Sequence, residues 1–236
     1  TMGLQGRTEP LHLHGPEGSR QVLLDAVHLG VERLPFRIEI TELADGGAVE
    51  FDGWRVEAFS VVHKHNALGF RLREEDRLGR FDVDRARALG VPEGPLFGQL
   101  HRGESVEVGG RTIDPADLVG PSRPGRTLVF AGDTRPCERV VEMARDADLL
   151  IHEATFVEEE RERAIETRHS TAAEAARVAK EAGAHRLVLT HISARHADMP
   201  DHIRDEATAI FPGALVAHDG MVVELPYRGD DGAGAG

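Results

Sequence analysis

The run Thr127-Leu-Val-Phe-Ala-Gly-Asp133 decides how the rest of the chain reads. A β-branched, apolar stretch stops abruptly at a carboxylate, which predicts a buried strand ending at a polar rim. The pattern recurs three times. Val56–Val62 runs into His63, Asp148–Ile151 into His152, and Arg186–Thr190 into His191. Amphipathic segments at Ser19–Leu29, Pro136–Ala147, Ala172–Ala182 and Asp201–Phe211 read as helices between such runs. Thr171 and Glu174 form a T-x-x-E capping box before the third, and Gly183 ends it. Hairpin-like pairs are predicted over Ala48–Arg73 and Ala214–Leu225. The alternation of strands and helices predicts a layered α/β fold. Ligands of open α/β sheets gather beyond the carboxyl ends of strands, so four strand ends here offer His or Asp to one rim.

The 236 residues suffice for one large domain or two small ones, and 40% hydrophobic with 29% charged residues is ordinary for a globular protein. No apolar run approaches the roughly 20 residues of a membrane span, and no signal peptide is visible. The single cysteine, Cys137, excludes an internal disulfide and a cysteine-based zinc site, and fits a reducing, cytoplasmic setting. Cys137 itself reads as a core residue of the helix after Asp133. The net charge of −13 argues against binding nucleic acid through bulk charge. Its distribution matters more: ten basic and ten acidic residues balance between Arg71 and Arg126, so the rest of the chain carries the whole excess.

The segment 74–124 differs from its flanks. It holds a short helical piece at Asp82–Leu89, then Val91-Pro-Glu-Gly-Pro-Leu-Phe-Gly98, then a hairpin around Gly109-Gly110. Its length and its Gly and Pro content suggest a protruding arm inserted in a core of residues 1–73 and 125–226. Residues 227–236 read as a disordered tail. There are no internal repeats.

Imidazole nitrogen and carboxylate oxygen suit zinc. His63, Asp133 and His191 are far apart in the chain yet meet at one rim if the strands align. A carboxylate that bridges two metals roughly 3.5–4 Å apart suits phosphodiester cleavage. Three ligands do not fill two tetrahedral sites, however. Plainer readings stand beside this one. A strand-end histidine is often structural, Asp133 can serve as a helix cap, and His152 with Glu153 can form a buried polar pair. His65 points to the same side of a strand as His63 and competes with it as ligand. The remaining histidines outside these motifs read as surface or packing residues.

Five motifs then occur in order: Val62-His63 with Gly69-Phe-Arg71, Gly132-Asp-Thr-Arg-Pro-Cys137, His152-Glu-Ala-Thr-Phe156, His169-Ser-Thr-Ala-Ala173 and Leu189-Thr-His-Ile-Ser193. Together they resemble bacterial ribonuclease Z, of the metallo-β-lactamase superfamily, and the similarity runs from about Gly3 to Leu225. Gly79-Arg-Phe-Asp82 and Pro92-Glu-Gly-Pro95 resemble that family's tRNA-binding arm. The resemblance implies an αβ/βα sandwich and two zinc ions per subunit of the complete protein. It assigns His63 and His191 as metal ligands, with Asp133 bridging; His63 is preferred over His65 because it stands six residues before Gly69. His169 faces the cleaved phosphate, and Glu153 orients a neighbouring imidazole. The implied reaction is removal of 3′ trailers from tRNA precursors by a metal-activated hydroxide. Precursor tRNA is the implied partner, held at its elbow by the arm, with Arg80, Arg85, Arg87, Gly94 and Pro95 as contacts; Arg71, Arg73, Arg77 and Arg102 are further possible phosphate contacts. A homodimer is implied, and no membrane.

The family's His-x-His-x-Asp-His string is absent from these 236 residues. Thr1-Met-Gly-Leu-Gln-Gly-Arg7 resembles the segment that shortly follows it, so the motif and the first strands are expected to be missing here. Most metal ligands would go with them, and a sheet edge would be exposed. Little or no nuclease activity is therefore expected of this chain alone. Two alternatives remain at this stage: a non-catalytic, tRNA-binding or dimerising remnant, and another phosphodiesterase of the same fold, which would have no use for an elbow clamp.

Overall fold

The structure is a computed structural model, and it describes residues 6–29, 34–64, 66–196 and 200–229. His65, the alternative to His63, lies outside the described residues, as do residues 1–5 and the tail from 230. In chain order the elements are β1 (Leu11–Pro16), α1 (Arg20–His28), β2 (Ile38–Leu43), β3 (Ala48–Phe51), β4 (Trp54–Ser60), β5 (Leu68–Glu74), α2 (Val83–Ala88), α3 (Pro95–His101), β6 (Val106–Val108) and β7 (Arg111–Ile113). There follow β8 (Thr127–Phe130), α4 (Glu138–Met143), β9 (Leu149–Glu153), α5 (Arg161–Thr167), α6 (Ala172–Ala182), β10 (Leu187–Thr190), α7 (Pro200–Thr208) and β11 (Leu215–Val216). The chain divides into two compact units, one of residues 1–73 with 127–236 and one of residues 74–126.

The larger unit is built on a seven-stranded sheet in the order β11-β10-β9-β8-β5-β4-β3. Strands β8 to β11 run parallel, joined through α4, through α5 and α6, and through α7, while β5 is antiparallel to β8. The short runs form central strands because both of their faces are filled. Val129, Leu150 and Leu189, none of them exposed, join Val140, Met143, Ala176, Ala179, Ile203 and Ala207 in one core. The alanines of α6 keep that helix thin enough to pack against both α4 and α7. Each fully buried Leu or Val there is worth about 1.5–3 kcal/mol of transfer free energy. Both halves of the α6 capping box form, and Gly183 closes the helix at φ +67°. A second, parallel pair, β1 with β2, is joined by α1.

The smaller unit has its own core of Ala86, Val91, Leu100, Val106, Ile113 and Leu118. Phe81 packs on Phe97 with ring centroids 5.0 Å apart. Asp82 caps α2 by accepting from the Arg85 amide at 2.8 Å.

Four expectations about elements need correction. Ala214–Leu225 forms no hairpin: β11 pairs in parallel with β10, and residues 221–225 belong to no strand. The turn at His218–Met221 does form, but Val222 beyond it is 83% exposed and belongs to no strand. Cys137 sits not inside a helix but at the N-cap of α4, in extended backbone directly after Pro136. That helix also stops at Met143, before Asp146 turns left-handed at φ 52°. The Gly- and Pro-rich stretch near Gly94 starts a helix instead of remaining a loop, because Pro95 occupies the first helical turn of α3, where its missing N–H costs nothing.

Candidate metal centre

Four side chains from distant parts of the chain converge just past the ends of β4, β8, β9 and β10. The loops that carry them are tied to one another. Val62 and Arg135 form an isolated bridge, and the Val62 amide donates to Thr134 Oγ1 at 3.1 Å. Ser170 Oγ donates to the Thr134 carbonyl at 2.6 Å. Arg135 donates to the His169 carbonyl at 2.5 Å and forms a two-pronged pair with Glu174 at 2.7 and 2.5 Å. Burial pushes the Glu174 carboxyl up, but the Arg135 hydrogen bond, the Thr171 amide and the nearby guanidinium charge outweigh it and hold it below the usual range.

At the rim, donor atoms of His63, Asp133 and His169 lie within 4.8 Å of one another. The ring centroids of His63 and His169 are 4.7 Å apart, and those of His169 and His191 are 5.1 Å apart. Asp133 Oδ1 is 3.6 Å from His191 Nδ1. The site is open to solvent at Asp133 and His191, whose side chains are 41% and 48% exposed, and closes inward at His169, 15% exposed. The structure thus brings His63, Asp133, His169 and His191 together, with Glu153 beneath them, whereas His152, the remaining strand-end candidate, is fully buried.

Glu153 is fully buried at the end of β9. One of its oxygens accepts from the Thr134 amide at 3.1 Å and from His169 Nδ1 at 2.7 Å. The other accepts from the Thr155 amide at 3.1 Å and the Thr155 hydroxyl at 2.8 Å. Four donors occupy the carboxylate, so Glu153 serves as a support and not as a ligand, although its oxygens also lie within 4.8 Å of donor atoms on His169 and His191. His152, fully buried beside it, donates from Nδ1 to the Glu153 carbonyl at 2.7 Å, and desolvation holds its pKa below the ordinary histidine value. That makes it a neutral prop under the rim.

The donor set fits a divalent metal. His63 Nδ1 meets the Arg168 carbonyl at 2.9 Å, and a carbonyl only accepts, so the proton is on Nδ1 and Nε2 keeps a lone pair. Arg168 Nη1 in turn donates to the His63 carbonyl at 2.8 Å, and Arg168 itself is left-handed at φ 60°. A carboxylate or carbonyl behind each ligand imidazole is the arrangement that metal sites use. Sequence reasoning did not find Thr134, Thr155, Arg135 or Arg168 as supports. Their partners lie up to 105 residues away, so no local spacing announces them.

The arginines assigned to substrate lie elsewhere. Arg85 faces Asp117 at 3.8 Å, and Arg87 pairs with Glu93 at 2.7 Å and Asp84 at 3.2 Å, all within the smaller unit. Gly94 precedes Pro95 at φ 130°, a conformation that glycine tolerates. Arg71 pairs with Glu57 at 2.6 Å and Arg102 with Glu104 at 3.3 Å.

Residues 102–192 match the family model described as beta-lactamase superfamily domain. In structure the chain is similar to the short form of human tRNase Z, with a TM-score of 0.61 and 23% identity over 96% of this chain and 71% of that one. It is also similar to a metallo-beta-lactamase fold protein of Bacillus subtilis, with a TM-score of 0.56 and 18% identity over 90% of this chain and 64% of that one. Fold and histidine–carboxylate rim together define a protein of the metallo-β-lactamase superfamily. Sequence narrows the class further. The chain is 56% identical over 230 residues to Ribonuclease Z of Myxococcus xanthus, covering 97% of this chain and 75% of the relative. It is 47% identical over 238 residues to Ribonuclease Z of Haloferax volcanii, covering 100% and 75%. The chain belongs to the ribonuclease Z family.

Proposed function

We propose that this chain carries the larger part of a zinc-dependent endoribonuclease that removes 3′ trailers from tRNA precursors. The observation that carries the reading is the convergence of His63, Asp133, His169 and His191 on one rim, in a chain 56% identical to a protein named Ribonuclease Z. His63 and His191 hold metal, and Asp133 lies between them. Zinc bound there supplies Lewis-acid activation of a water nucleophile and offsets charge on the phosphodiester. The protein's own residues do the rest. Glu153 fixes the His169 ring, which turns its other nitrogen toward the cleaved phosphate to stabilise charge or assist the leaving oxygen. Its position just before the α6 N-terminus adds favourable electrostatics.

The unit 74–126 serves as the arm that grips the tRNA elbow, through shape and phosphates instead of base edges. Arg80, Arg85, Arg87, Gly94 and Pro95 form its contact surface. Exposed ion pairs such as those of Arg85 and Arg87 are worth little, so phosphate replaces their carboxylate partners at low cost. The core of its own within that unit supports this reading over a hydrolase of small esters. The protein acts in the cytoplasm as a homodimer. No helix among the described residues is long and apolar enough to cross a membrane.

The 236 residues lack a His-x-His-x-Asp-His string, and two tetrahedral zinc sites need more donors than the rim offers. This chain by itself therefore cleaves poorly or not at all. Incubating it with a precursor tRNA and excess zinc tests this: only background cleavage is expected. Robust cleavage that Asp133→Ala abolishes would overturn the weak-activity reading.

A further inference from the structure

Thr155 lies within 2.7 Å of His191 Nδ1, within 2.8 Å of Glu153 Oε2, and is nearly buried. The hydroxyl has a single proton, and only one assignment satisfies both contacts. Glu153 already accepts from the Thr134 and Thr155 amides and from His169 Nδ1, so its oxygens act as acceptors here. Were the Thr155 proton pointed at His191 instead, two oxygen lone pairs would face each other at 2.8 Å in a buried setting. The hydroxyl therefore donates to Glu153, and its oxygen accepts from the His191 Nδ1–H.

We propose that Thr155 is a positioning residue, a hydroxyl relay that extends Glu153 to a second imidazole and fixes His191 as its Nδ1–H tautomer, which leaves the lone pair on Nε2. One buried carboxylate then sets two rings: His169 directly, at 2.7 Å, and His191 through the Thr155 hydroxyl. The relay also explains how an exposed ring is held. His191 is 48% exposed and stands on left-handed backbone at φ 55°, so the stacked His169 ring and Asp133 hold it only in part and the relay fixes its inner nitrogen. This inference rests on the metal-centre reading for its purpose, but its direct test needs no metal.

Long-range proton–nitrogen NMR of the metal-free 236-residue chain at about pH 8, well above the usual histidine pKa, reads the tautomers. His169 and His191 are both expected as Nδ1–H. Thr155→Val keeps the shape and removes the hydroxyl; His191 should lose its single tautomer while His169 keeps its own. Zinc affinity, measured by chelator competition, should fall about 10- to 100-fold, as for other partners behind ligand imidazoles. Thr155→Ser should restore both readouts. An Nε2–H tautomer for His191 in the unaltered chain overturns the proposal even if the valine variant does not fold. So does an unchanged His191 in Thr155→Val, or a serine variant as impaired as the valine one. If zinc binds nowhere on this rim but the tautomers behave as stated, the metal-centre reading fails and the relay stands.

Discussion

Single residues hold this rim through contacts that leave little freedom. Gly69, the residue used to choose His63 over His65, shows why a glycine is needed six residues after His63. A Cβ placed there would come within 2.4 Å of the Phe59 ring and 3.0 Å of the Phe130 carbonyl. Phe59 is fully buried, so its ring has nowhere to go. Gly69→Ala should destabilise the fold by about 1–3 kcal/mol, the usual cost of overpacking, seen as a lower urea midpoint at unchanged slope. A wild-type midpoint would show that β4 and β5 separate readily. At this scale the sequence was informative about chemistry and silent about support. His63, Asp133 and His191 were legible because strands ended on them, and His169 and Glu153 because of the motifs around them. Thr155 and Arg168 were not, because a hydroxyl and a guanidinium acquire these roles only when β9, β10 and the segment before α6 are brought together.

Among elements, α6 was the most legible, with both caps and all its bounds given by local chemistry. What the local pattern omits is that its capping glutamate has a second task. Glu174 completes the capping box and also binds Arg135 and Arg161, tying the helix to the loop of Asp133. Its carboxyl is held below its ordinary value, so the stability it adds is fully present above the unfolded value of roughly 4.3 and is lost as pH falls through the folded value. Unfolding midpoints of the wild type should therefore drop on acidification below that value more steeply than those of Glu174→Gln. Parallel pH profiles for the two would contradict this. The elements misread from sequence failed for the opposite reason. The segment after His218 has a turn and apolar residues but forms no strand, and α3 hides its start signal, Pro95, inside a stretch whose composition suggests a loop.

Across the whole molecule, a seven-stranded sheet covered by α4, α6 and α7 brings residues 63, 133, 153, 169 and 191 to one rim, and a separate unit of 53 residues, 74–126, keeps its own core. The layered class was legible because alternating strands and helices need a parallel sheet; the β1–β2 pair was not, because its strands carry only a faint alternation, Leu11-His-Leu-His. We propose above all that this rim is a metal centre. Equilibrium dialysis of the 236-residue chain against zinc, followed by elemental analysis, tests it most directly. About one weakly held ion per chain is expected, since His63, Asp133 and His191 cannot fill two tetrahedral sites, with loss of that ion in both Asp133→Ala and His63→Ala. Two tightly bound ions per chain, or binding that neither substitution disturbs, would contradict it.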